Sequence, residues 1–158
     1  MDTVIFDSPV GPLHVCADGH CIVYLKFGDG PASTGETPLL ARALAQLAAY
    51  FNGGATGFDL PLAAPQTPFQ AKVRAAMLAI PFGETRSYGD IAQAIGGAPR
   101  AVGQACGRNP LPIIVPCHRV LAAGGSIGGF SGGDGRPTKR KLLAHEAGPV
   151  FAAALNGG

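Results

Sequence analysis

Cys117 stands between Pro116 and His118 at the end of a short apolar run, Leu-Pro-Ile-Ile-Val-Pro-Cys-His-Arg-Val-Leu, which occupies residues 111–121. A thiol in such a place either packs as a small hydrophobe or serves as a nucleophile, and its neighbours favour chemistry. The other cysteines, Cys16, Cys21 and Cys106, show no Cys-x-x-Cys spacing, so free thiols are expected rather than a metal or redox pair. His14, Cys16, His20 and Cys21 crowd one hairpin. Strand alternation sends His14 and Cys16 to one face and splits His20 from Cys21, so ordinary strand and turn residues are expected there, with no metal and no cofactor.

Several elements must position that thiol. Ile113, Ile114 and Val115 have neither a helical nor an alternating period and lie between prolines, which predicts a short strand buried on both faces, stopped by Pro116 and handing Cys117 to a turn. Upstream, Thr67-Pro68 reads as a helix start, with Phe69, Val73, Ala76, Met77 and Ile80 as the inward stripe and Pro81 as the stop. Ser87 with Asp90 predicts a capping box for a second helix that Gly96-Gly97 ends, and Pro99 opens a third that runs to about Gly107. Two short helices joined by a glycine turn, over about residues 87–108, are either a plain helical hairpin or a helix-turn-helix whose second helix offers its first residues to DNA. Downstream, residues 124–135 hold seven glycines in twelve positions, either a flexible surface loop or one that lets a flat ligand approach the backbone. Thr138 is expected to cap a last basic helix that ends at Gly148, with residues 150–158 fraying.

The first part of the chain reads differently. Residues 3–8 and 13–27 alternate apolar and polar around Asp18-Gly19, a hairpin signal. Leu39, Leu40, Ala43, Leu44, Leu47, Ala48 and Phe51 then recur at helical spacing, enough to cover one sheet face. Residues 58–62 are expected as a further strand, and the proline-rich 61–68 segment as a linker. Charge divides at the same place: residues 1–66 carry two basic and six acidic side chains, and residues 67–158 carry ten basic and four acidic. That asymmetry is the footprint of a polyanion-binding half or simply of a solvated basic face. The N-terminus lacks the basic start and apolar core of a signal peptide, and no apolar run approaches the ~18 residues of a membrane span. A soluble, cytoplasmic protein without membrane partners is expected.

Arg100-Ala-Val-Gly, Arg108-Asn109-Pro110, Pro116-Cys117-His118-Arg119-Val120 and Gly129-Phe130-Ser131-Gly-Gly together resemble the O6-alkylguanine-DNA alkyltransferases. The likeness is close from Thr67 to Glu146 and holds in outline before that. It implies an α+β fold: a small antiparallel-sheet domain with a covering helix over residues 1–66, and over 67–158 a helical, winged helix-turn-helix domain carrying the reactive cysteine. It further implies direct repair of double-stranded DNA, by a monomer that flips out O6-alkylguanine, and O4-alkylthymine, and moves the alkyl group irreversibly to Cys117 in a single turnover. By the same resemblance His118, through water, and Glu146 deprotonate Cys117, and Asn109 braces the reactive turn. Tyr88 turns the target phosphate and Arg100 fills the vacated stack. Pro112, Phe130 and Ser131 form the substrate pocket. The chain departs from the family in carrying Phe130 where a tyrosine is usual and in a longer Ser131–Glu146 spacing.

Rival readings differ at identifiable residues. A non-catalytic helix-turn-helix sensor of alkylated DNA would need no thiol at position 117. A cysteine hydrolase would need a distant histidine, for which His14 and His20 on the hairpin are the candidates, and no oxyanion-hole motif accompanies them. A structural zinc module is the weakest.

Overall fold

A computed structural model of the chain describes residues 1–28, 30–130 and 132–147. The expected ends of the last helix at Gly148 and of the fraying tail lie outside them. Two compact units are present, Met1–Ala63 and Ala64–Gly158.

The first unit is a three-stranded antiparallel sheet in the order β1 (Asp2–Ser8), β2 (Gly11–Ala17), β3 (Ile22–Phe27). Register pairs Val4 with Val15 and Val15 with Leu25, so branched side chains stack on one face. The β2–β3 turn is tied by Asp18, whose Oδ1 accepts from the backbone N–H of His20 and of Cys21 at 2.8 Å each. Helix α1 (Pro38–Phe51), capped by Thr37, packs on β1 and β2 through buried Leu40, Ala43, Leu47 and Tyr50. The strand expected at 58–62 is not there. A single parallel bridge joins Leu62 to Ile22, held by Ile22 N–H to Pro61 O and Ala63 N–H to Ile22 O, because Pro61 has no N–H with which to extend a ladder.

The second unit is helical. Helix α2 (Pro68–Leu78) starts where Thr67 accepts the N–H of Gln70. Ile80 is buried but lies past its end. A two-residue strand β4 (Arg86–Ser87) leads into α3 (Tyr88–Ile95), which has the full capping box: Ser87 Oγ accepts from Asp90 N–H and Asp90 Oδ2 from Ser87 N–H. Gly96 ends α3 in the left-handed region, and α4 (Pro99–Gly107) follows three residues later. β4 pairs in parallel with β5 (Val120–Leu121). The last helix, α5 (Arg136–Ala147), begins two residues earlier than expected. Thr138 is inside it and buried, accepting the N–H of Asp134 across the preceding turn, so it braces the loop rather than caps the helix.

The expected strand at Ile113–Val115 is instead a tight turn. Val115 N–H donates to Leu111 O at 2.8 Å, Cys117 N–H donates to Val115 O at 2.8 Å, and Cys117–Arg119 form one turn of 3-10 helix. Leu111, Ile113, Ile114 and Val115 are all buried. An aperiodic apolar run therefore reported burial on every side, not extension. Ile113 sits at φ 72°, a region in which a β-branched residue stores ~1–3 kcal/mol of strain.

Candidate active site

The strained turn is held by Asn109, just past the C-terminus of α4. Its Nδ2–H donates to Val115 O at 2.9 Å while its Oδ1 accepts from Leu111 N–H at 3.0 Å. One side chain thus supplies both partners of a backbone that no sheet satisfies. Directly after the turn comes Cys117, 8% exposed. Burial pushes its thiol up from the usual cysteine value, and a bond with the Asn109 side chain and the nearby Lys139 ammonium pull it back.

His118, with no exposed surface, turns to the other side of the segment. Its Nε2 is 2.6 Å from Glu146 Oε2 on α5. Glu146 is in turn gripped by Arg119, with Nε donating to Oε1 at 2.7 Å and Nη2 to Oε2 at 3.0 Å, while Nη1 donates to Ile80 O at 2.8 Å. A carboxylate facing a guanidinium fork only accepts, so Nε2 of His118 carries the proton and Nδ1 presents a lone pair. That Nδ1 is buried and has no partner among the described residues. Burial holds the imidazole below the ordinary histidine value, with Glu146 opposing and the Arg119 and Lys139 charges assisting. The group is a neutral base. Among the described residues no hydrogen bond joins the Cys117 thiol to the His118 ring, and it is the His118 backbone that bonds the sulfur.

Above Cys117 opens a cavity of about 490 Å³, lined by Asn109, Tyr88, Pro112 and Phe130 together with Gly103, Cys106, Gly107, Gly129 and Gly132. Five of the expected site residues therefore meet at one cavity, with His118 and Glu146 behind it. Arg100 stands apart, exposed in the first turn of α4. Ser131 lies outside the described residues. Tyr88 follows the α3 cap, with burial raising its hydroxyl above the usual tyrosine value.

Three residues were missed in the sequence. Arg119 was read only as part of a motif. Lys139, on the expected basic helix, is fully buried and donates from Nζ to Val120 O at 2.6 Å and Gly129 O at 3.3 Å, tying the reactive segment to the glycine-rich loop. Its Nζ also lies 5.8 Å from the centre of the Tyr88 ring. Cys106 lines the cavity, its thiol pushed up to about 12 by burial and by Cys117. At the first unit's hairpin, no group of histidines, cysteines and carboxylates able to hold a metal is found among the described residues. His14 is buried, with Nδ1 against Gly28 O at 3.2 Å. No helix of the described residues is long and apolar enough to cross a membrane.

The geometry has close counterparts. The family profile "6-O-methylguanine DNA methyltransferase, DNA binding domain" matches residues 68–148, and "6-O-methylguanine DNA methyltransferase, ribonuclease-like domain" matches residues 3–64. A methylated-DNA–protein-cysteine methyltransferase of Mycobacterium bovis is 48% identical over 148 residues, 89% of this chain and 88% of its own length. That of Methanosarcina acetivorans is 46% identical over 138 residues, 82% of this chain and 88% of its own length. Among solved structures, Mycobacterium tuberculosis OGT in complex with DNA superposes with a TM-score of 0.83 at 42% identity, covering 98% of this chain and 99% of that one. Matched along nearly its whole length in both sequence and backbone, this chain belongs to the 6-O-methylguanine DNA methyltransferase family.

Proposed function

We propose that the protein repairs double-stranded DNA by direct reversal, taking the alkyl group of O6-alkylguanine onto Cys117. The observation that carries this reading is the His118–Glu146 pair at 2.6 Å, with an Nδ1 that has no partner among the described residues, beside a thiol at the floor of a cavity. A bridging water passes the Cys117 proton to that Nδ1, and Glu146 and Arg119 hold the imidazole in the required tautomer. The sulfur forms a bond to the alkyl carbon as the bond from that carbon to O6 breaks. The departing guanine takes up one proton, so the net exchange is alkyl for proton. The thioether is stable, each molecule acts once, and no cofactor enters.

Base extraction costs a few kcal/mol of pairing and stacking. Arg100, exposed at the start of α4, fills the vacated stack, and Tyr88 turns the target phosphate and borders the base. Pro112 and Phe130 wall the alkyl pocket, and Ser131 contributes to hydrogen bonding at guanine O6. Phe130 keeps an apolar surface there and contributes no hydroxyl. Residues 67–158 form the DNA-binding alkyltransferase domain, and residues 1–66 a scaffold. The protein acts as a monomer in the cytoplasm, where its thiols stay reduced.

Intact mass after incubation with a duplex carrying one O6-methylguanine tests this. One methyl group gained per protein, and none in Cys117→Ala, is expected. Tight lesion-selective binding without a mass change would make the protein a sensor instead.

A further inference from the structure

Two side chains in the first turn of α5 reach back to the glycine-rich loop. Lys139 donates from Nζ to Gly129 O at 3.3 Å, and the Thr138 hydroxyl accepts the N–H of Asp134 at 2.9 Å. Both are buried. Residues 132–135, Gly-Gly-Asp-Gly, turn back on themselves, with Gly135 N–H donating to Gly132 O at 2.9 Å and with Gly133 and Gly135 at φ 54° and 77°. Such a sequence has many conformations to lose, and its one side chain, Asp134, is exposed, so the bonds that reach it from α5 select its shape. The turn sits hard against Thr138: a Cβ at Gly133 would come within 2.6 Å of its Oγ1. It also sits directly behind the cavity wall. A Cβ at Gly135 would lie 3.4 Å from Phe130 O, and Gly129, Phe130 and Gly132 line the space above Cys117, whereas Thr138 does not. Thr138 therefore reaches the cavity only through the loop.

We propose that Thr138 is a positioning residue for substrate capture: its hydroxyl holds the Gly129–Phe130 wall of the cavity where an extrahelical base can seat against it, and takes no part in moving the proton or the alkyl group. The inference rests on the alkyl transfer proposed above and separates binding from chemistry along one helix. Glu146 stands on the same α5, about 12 Å further along at the helical rise. One end of the helix thus holds the pocket wall and the other the proton relay. A hydroxyl suits the place. It accepts the Asp134 N–H at 2.9 Å, where a valine methyl of the same shape could neither accept nor stay so close, and would push the turn outward.

Single-turnover methyl transfer, followed against the concentration of a duplex carrying one O6-methylguanine, yields a half-saturating concentration and a limiting rate. Thr138→Val is expected to raise the first about three- to tenfold, the worth of one hydrogen bond, and to leave the second within about twofold of wild type. Iodoacetamide labelling of Cys117 without DNA is expected to quicken by a similar factor, because the wall that screens the sulfur is displaced. Thr138→Ser keeps the acceptor and should restore both values. Thr138→Ala, which loses the acceptor and adds no bulk, should move them in the same direction as valine but less far. A limiting rate that falls at unchanged half-saturation would place Thr138 with the relay and overturn the proposal. So would unchanged half-saturation and labelling in both the valine and alanine variants, or a serine variant no better than valine. No transfer by the wild type would instead remove the alkyl-transfer reading, and the labelling would then decide whether Thr138 holds the wall.

Discussion

Arg119→Met tests the buried charge cluster most directly. Methionine keeps most of the apolar stem, so the change removes the guanidinium without opening a large void. Lost are the two bonds to Glu146 and the bond to Ile80 O. The Glu146 side chain, 1% exposed, is left against a neutral imidazole. Stranding one member of a buried ion pair costs ~3–5 kcal/mol, a large part of the ~5–15 kcal/mol that holds a folded domain. In thermal unfolding that is a fall on the order of 10 °C for a chain of this size. Arg119→Met with Glu146→Gln removes both charges and should recover more than half of the loss, since the penalty belongs to the orphaned carboxylate. His118 loses a neighbouring cation in the single variant, so its NMR titration should also move upward. Circular dichroism melts of the three proteins are sufficient. A single variant that melts within about 2 °C of wild type, or a double variant no better than the single, would refute the reasoning.

Other perturbations follow from the same geometry. Asn109→Ala strands Leu111 N–H and leaves Val115 O with only the Cys117 N–H, beside the strained Ile113 turn, which should cost ~1–3 kcal/mol by urea titration and slow methyl transfer beyond what the stability loss explains. Lys139→Met unties Val120 O from Gly129 O and removes a cation that favours the Cys117 thiolate; thiol-reagent labelling of Cys117 should shift to higher pH, and an unchanged profile would deny Lys139 that role. Stability should be flat between 6.5 and 9.0. As pH falls through 6.5 the unfolded chain protonates His118 before the folded one does, and as it rises through 9.0 the unfolded chain ionises Cys117 and Cys106 before the folded one does, so stability falls at both ends. His118→Gln should flatten the acid limb just below 6.5 in melts against pH, and an unaltered limb would show that His118 does not generate it.

Local signals for helix ends were sound in the sequence except at Thr138, which lies inside α5. Thr67, Ser87 with Asp90, and Gly96 sit where helix ends demand them, and α1 covers the sheet with Leu40, Ala43 and Leu47 as its period picked out, while Ala48 is exposed and Tyr50, outside the expected set, is buried. Lys139 shows what was overlooked rather than hidden. Lys139, Leu142, Leu143 and Glu146 fall at i, i+3, i+4 and i+7 of α5 and are all buried, so the inward stripe has helical period, although two of its four members are of types that rarely lie inside unless paired. The turn at Ile113 is a different case. Its shape comes from a side chain four residues upstream and from the prolines at 112 and 116, and no periodicity in the run itself could disclose a left-handed isoleucine. The meeting of His118 with Glu146 across 28 residues is tertiary, visible beforehand only through resemblance.

The depth at which Cys117 sits, with its thiol held protonated, carries a consequence for the lifetime of the molecule. A protein consumed by its own reaction resembles a cartridge with a single charge, and the hazard it faces is premature discharge on stray electrophiles and oxidants. At 8% exposure and with its proton retained, the sulfur stays inert in storage, because reactivity toward such agents follows the thiolate and its accessibility. Only a reactant delivered into the cavity itself, already aligned with the sulfur, reaches the trigger.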